Sequence, residues 1–147
     1  MNAGGDDEKQ VTHWLGEAHH NISLAAVLTG SSDGMHDAKV WLNILLDRIK
    51  RFNPPSEELS LATAYNQIGI CHINKNELED AMNNWRQSVA TYRSVKNPPN
   101  FSGTWPSLSL AQGYTLQGRP KEGEEVLMPS LEEHERILGE DDRTTTE

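Results

Sequence analysis

Three windows of the chain, opening at His19, Ala62 and Thr104, carry the same order of side-chain sizes. A small residue stands at the eighth place of each (Ala26, Gly69, Ala111). Another follows twelve residues on (Ala38, Ala81, Gly123), and a large apolar residue four beyond that (Leu42, Trp85, Leu127). Leu45, Ser88 and Ser130 come next, then Leu46, Val89 and Leu131. The windows are offset by 43 and 42 residues. Such a period constrains the fold strongly, because each unit must bury its apolar face against its neighbours. Small residues let two antiparallel helices approach closely, and large ones fill the gap to the next pair.

The spacing inside the windows is helical. Val11, Leu15, Ala18, Ile22, Ala25 and Thr29 fall three or four apart and form one stripe. Ala38, Trp41, Leu42, Leu45, Leu46 and Ile49 form a second, and Leu61, Tyr65, Ile68, Gly69, His72 and Ile73 a third. Gly30–Gly34 reads as a turn, Asn53–Ser56 as a breaker with Ser56 capping the next helix, and 96–104 as the longest break. Asn76 with Glu79 has the form of a capping box, Pro129 predicts a kink, and Gly139 a stop. The expectation is an all-α chain of six helices with no sheet, paired as 11–30/35–51, 57–74/77–95 and 106–117/120–138. The hairpins 11–51, 57–95 and 106–138 make up a domain at 11–139. A disordered segment at 1–10 precedes it, and a linker-like or truncated tail occupies 140–147.

Charge and cysteine usage exclude several function classes. The net charge of −9 argues against nucleic acid and anionic membranes, which need a basic face. The apolar fraction of 35% leaves one apolar stripe per helix, and no run approaches the ~18 residues of a membrane span. A single cysteine, Cys71, forms no disulfide framework within one chain. With no signal-peptide core after the acidic start, the expected location is cytoplasmic.

Six histidines raise the alternative of an enzyme or enzyme subunit. His13 and His20 share a helical face and His36 lies one hairpin arm away, but no carboxylate stands at ligand spacing, so no metal and no cofactor are expected. His72 and His134 are read as packing residues and Cys71 as a small buried hydrophobe. Trp105, before Pro106 at a helix start, is either a hydrophobic staple or a groove anchor. The glutamates between 122 and 135 read as a solvated face.

The repeated positions resemble those that define tetratricopeptide repeats. The middle unit carries Tyr65, Ile68, Gly69, His72, Ala81, Trp85 and Ser88 in the motif's order, and the third Leu110, Ala111, Tyr114, Gly123, Leu127 and Ser130. The long period, and Ile137–Asp142 as an inter-repeat linker, resemble the kinesin-light-chain-like branch, with similar arrays in fungal proteins. The resemblance covers residues 19–142. It implies a right-handed superhelical stack whose first helices line a groove for a peptide or protein segment. Carried over by position, that groove shows His20, Ser23 and Val27 from the first unit, Asn66, Gln67, Ile70 and Asn74 from the second, and Trp105, Leu108 and Gln112 from the third. Asn66-Gln67 stands where the branch carries paired asparagines that bond a ligand's backbone. Ser23-Leu24 and Leu108-Ser109 depart from that pattern.

The function these readings favour is a non-catalytic protein-interaction module. Val126, Leu131, Ile137 and Leu138 lack a covering helix, so the chain is expected either to belong to a longer array or to form a homodimer through its end helices, the alternative being that Glu132, Glu133 and Glu135 make the last helix polar enough to end the stack.

Overall fold

The computed structural model describes residues 3–31, 33–54, 57–96 and 98–145, and among them six helices and no strand. These are α1 (Ala3–Leu28), α2 (Met35–Phe52), α3 (Glu57–Asn74), α4 (Leu78–Ser94), α5 (Thr104–Leu116) and α6 (Pro120–Thr145). Each packs on the next, and α3 also touches α1 and α5, which makes the chain a stack of three tetratricopeptide-like helical hairpins. No helix among the described residues is long and apolar enough to cross a membrane.

All three hairpins close on the same backbone device. Gly30, Asn76 and Gly118 take left-handed φ angles of 75°, 62° and 76°. Each donates its N–H to the carbonyl three residues back (Val27, Ile73, Thr115), and the following residue donates to the carbonyl five back (Ala26, His72, Tyr114). This Schellman closure satisfies the last carbonyls of the first helix. Glycine takes the conformation freely and asparagine tolerates it. The expected capping box at Asn76 does not form: Asn76 serves the end of α3, and Glu77 caps α4 with no side-chain bond. The expected cap at Ser56 lies outside the described residues.

Counted from these turns, the first unit has a different register from the one its sequence suggested. Seven residues before each left-handed residue stand Ser23, Gly69 and Ala111, and all three are buried. Ala26, expected at this place, is half-buried. The left-handed residue precedes the buried small residue of the second helix by eight positions at Ala38, but by five at Ala81 and Gly123. Three extra residues in the first turn account for the shift.

Packing follows the small residues. A side chain on Gly69 would place its Cβ 2.3 Å from Trp85 Nε1, so the indole lies directly on the α3 backbone. Ser88 Oγ donates to the Ala62 carbonyl at 2.6 Å and ties α4 to α3. Ala81, Met82, Trp85, Val89 and Leu110 form one core cluster, between the second and third hairpins. Trp41, Leu45 and Ala64 form another, between the first and second.

The ends of the stack depart from expectation. Residues 3–10, expected to be disordered, are the first turns of α1. Arg48 of α2 donates to the Lys9 carbonyl and, at 2.7 Å, to Thr12 Oγ1, while Arg51 pairs with Glu8. Those contacts hold the α1 start against α2. The predicted linker from Ile137 is helix to Thr145, because a glycine inside a helix costs only about 1 kcal/mol and Gly139 does not stop it. That helix α6 runs through Pro129 agrees with the expected span of 120–138.

The largest departure concerns the predicted stripe of α1. Val11, Leu15, Ala18, Ile22, Ala25 and Thr29 are all exposed. The face that α1 turns inward carries Gly16 and Ser23, fully covered, with His19, His20 and Ala26 half-buried. Gly16 lies where a Cβ would sit 3.2 Å from the Trp41 ring, so a small residue, and not an apolar stripe, brings α1 against α2.

Candidate functional site

Alignment on the three left-handed turns brings the first helices of the hairpins into four rows. They are Glu17, Thr63 and Trp105, then His20, Asn66 and Leu108, then Leu24, Ile70 and Gln112, then Leu28, Asn74 and Leu116. All twelve are exposed or half-buried. Glu17 is the only charged residue in the set, so the surface is nearly uncharged and partly apolar although the chain carries −9.

Two clefts open on these rows. One, of about 230 Å³, is lined by Thr63, Asn66 and Trp105 with Leu59, Ala62, Tyr92, Ser102 and Pro106. The other, of about 430 Å³, is lined by Leu108, Gln112 and Leu116 with Ala111, Thr115 and Leu127. Trp105 stands 70% exposed at the rim of the first. Asn66 Oδ1 is shielded there and has no hydrogen-bond partner among the described residues.

Of the ten residues that sequence places in the groove, seven fall on these rows: His20, Asn66, Ile70, Asn74, Trp105, Leu108 and Gln112. Ser23 is fully buried and Gln67 is buried too, so neither offers surface to a partner. Val27 is half-buried and lies off the rows. Ser23 and Val27 were transferred through the unadjusted first-unit register, and the three extra turn residues displace both. Gln67 points inward because its Oε1 takes a 2.8 Å bond with His20 Nδ1, and His20 also stacks on Trp41 with ring centroids 4.0 Å apart. Asn74 donates to the Ser31 carbonyl across the first two units. Leu24, Leu28 and Leu116 escaped sequence reasoning. The signals that locate them are Gly30 for the first unit and Gly118 for the third, whose places after the first helices set the register.

Four of the six histidines (His19, His20, His72 and His134) tie elements together, while His13 and His36 are exposed. His19 Nδ1 lies 2.8 Å from Asp37, and His134 contacts Thr104 at 3.3 Å and the Phe101 ring at 4.3 Å. His72 bonds Glu77 at 3.1 Å, and with Asp80 these put three potential ligand atoms within 4.8 Å, a grouping that sequence spacing had not suggested. Its charges have other partners. Lys75 Nζ stands 3.7 Å from the same Glu77 oxygen, and both carboxylates sit at the positive N-terminal end of α4. The hydrogen bond from His72, aided by Lys75, holds Glu77 below the ordinary carboxylate pKa. Burial pushes the Cys71 thiol up, away from the reactive thiolate.

A stack of helical hairpins with a nearly uncharged ridge of first-helix side chains has the build of a helical-repeat interaction module. Residues 61–96, which contain most of α3 and all of α4, match the family model of the tetratricopeptide repeat, supporting a tetratricopeptide-type repeat protein. Comparison with curated proteins and with solved structures gave no match.

Proposed function

We propose that this chain is a non-catalytic module that holds an extended, largely apolar and uncharged segment of another protein across the four rows. The observation that carries this reading is the coincidence of both clefts with rows that hold one charge among twelve side chains. Trp105 supplies an aromatic anchor of the type that dominates binding energies. Asn66 lines the first cleft, and its amide, turned outward, offers both a donor and an acceptor to the backbone of the ligand. Leu28 and Leu116 offer apolar contacts at the turn end of the rows. Assignment to the kinesin-light-chain-like branch rests on the 42 residues between Asn76 and Gly118. A cytoplasmic location and self-association through the end helices belong to the same reading. In it His19, His20, His72 and His134 are ties between elements, and no histidine is a catalyst.

Display selection of peptides on the whole chain tests it. The selected sequences should be apolar and uncharged, and their affinity should change little with salt, since no charge pairs are screened. Trp105→Ala and Leu116→Glu should each weaken binding about tenfold or more, as loss of an anchor does. Basic peptides whose affinity collapses with salt would move the binding surface to the acidic outer face of α6.

A further inference from the structure

Position for position, the outer face of α1 repeats the face by which α3 packs on the first hairpin. Counted from the turns, Leu15, Ala18, Ile22 and Ala25 correspond to Leu61, Ala64, Ile68 and Cys71. The α3 residues are covered, Leu61 partly and the others almost fully, while all four in α1 are exposed. Val11 and Trp14 lengthen the stripe, which runs over about four helical turns. Charge is nearly absent along this stretch: from Gln10 to Ser32 the only formally charged residue is Glu17, and it stands on the groove rows.

We propose that a second copy of this chain covers the stripe, α1 against α1, antiparallel about a twofold axis at Ala18. The inference rests on the reading of the chain as an interaction module and uses a surface other than the groove. Around that axis Val11 faces Ala25 of the second copy, Trp14 and Leu15 face Ile22, and Ala18 faces itself. Small residues at the centre let the helices approach, and large residues meet small ones at both ends. Val11, Trp14, Leu15 and Ile22 leave roughly 450 Å² open per copy, so pairing buries at most about 900 Å² before the polar rim is added, below the ~1,200 Å² of a stable interface and in the range of a weak, reversible dimer.

The other open face of the stack does not fit the stripe. On α6 the place equivalent to the fully buried Met82 is held by Glu124. Covering it with α1 would bury a carboxylate against a stretch with no lysine or arginine, which costs more than the contact returns. Head-to-tail stacking is thereby disfavoured, and the α1 pairing closes at two copies.

Sedimentation of the full chain over a wide concentration range is the test. The mass should rise from that of the 16.5 kDa chain to twice that value and stop. Ala18→Glu sets a carboxylate against its own symmetry mate, and Ile22→Glu sets another against the α1 stripe. Both variants should stay monomeric at every concentration with unchanged far-ultraviolet dichroism. Ala18→Cys should give a disulfide-linked dimer under oxidation, because the native Cys71 is buried. Leu131→Glu on α6 should leave the dimer unchanged. A wild-type chain that is monomeric throughout, or that grows past two copies, overturns the proposal, as does loss of association in Leu131→Glu but not in Ala18→Glu. A display-selected peptide that still binds monomeric Ala18→Glu leaves the groove standing whichever way the mass measurement falls.

Discussion

Helices α1 and α3 occupy equivalent places in successive hairpins and carry similar residues, yet their apolar faces meet opposite fates. Ile68 of α3 is 2% exposed, and Ile22, its counterpart, is 54% exposed. Local pattern is the same in both, so burial is decided by the neighbour. For α3 that neighbour is α2, with Trp41 and Leu45. Among the described residues α1 packs on α2 and α3, and no helix lies on its outer face. An apolar stripe at helical spacing therefore predicts a helix more securely than it predicts the inside of the molecule.

The largest expected effect contrasts two tryptophans. Trp85→Ala should cost about 3–5 kcal/mol, because the ring fills the core between the second and third hairpins. Trp14→Ala, at a 63% exposed position, should change stability by no more than about 0.5 kcal/mol in the monomer. Urea midpoints at low protein concentration measure both. Equal costs would mean that α1 is covered within one chain.

The isoleucines repeat the contrast more finely. Ile68→Ala should cost about 2–5 kcal/mol and Ile22→Ala about 0.5 or less, read the same way. At high concentration the gap should narrow if α1 is covered by a second copy.

The turns give a smaller effect. Gly30→Ala forces a side chain into left-handed backbone and should cost about 1–2 kcal/mol, whereas Asn76→Gly relieves a milder strain and should be neutral within about 0.5 kcal/mol. Thermal melts of the two variants compare the closures directly.

The smallest effect is electrostatic. The folded-state pKa of Glu77 lies below its ordinary value, so its contribution to stability is present above the ordinary carboxylate range and is lost as pH falls through the lowered value. The melting temperature of Glu77→Gln should fall slightly below that of the parent at neutral pH and converge with it in acid. The side chain is solvent-exposed, so the gap should be small and should shrink further in high salt.

Much of the stack was legible in the sequence because helix spacing and small residues report local geometry. Gly69 under Trp85, Ala81 and Ala38 all sit where close helix contact demands them. The groove was less legible in the first unit. A uniform repeat offset hides an insertion of three residues, and three residues turn a helix by most of a revolution, which moved Ser23 from an expected surface place to the interior. The start of α1 was illegible for another reason. Its contacts with Arg48 and Arg51 link residues about forty apart, which no local pattern reveals.

The Arg48 side chain has a consequence for the order of events in folding. It is buried, bonds Lys9 and Thr12 of α1, and meets Glu57 of α3 at 2.8 Å. One guanidinium thus spans three helices, and its full set of bonds exists only after both flanking helices have docked on α2. Such an interaction is expected to be absent from early, locally structured states. Weakening it should speed the opening of the native stack while leaving the rate of its assembly nearly unchanged. Arg48 is thus expected to act on how long the first two hairpins stay together, not on how quickly they meet.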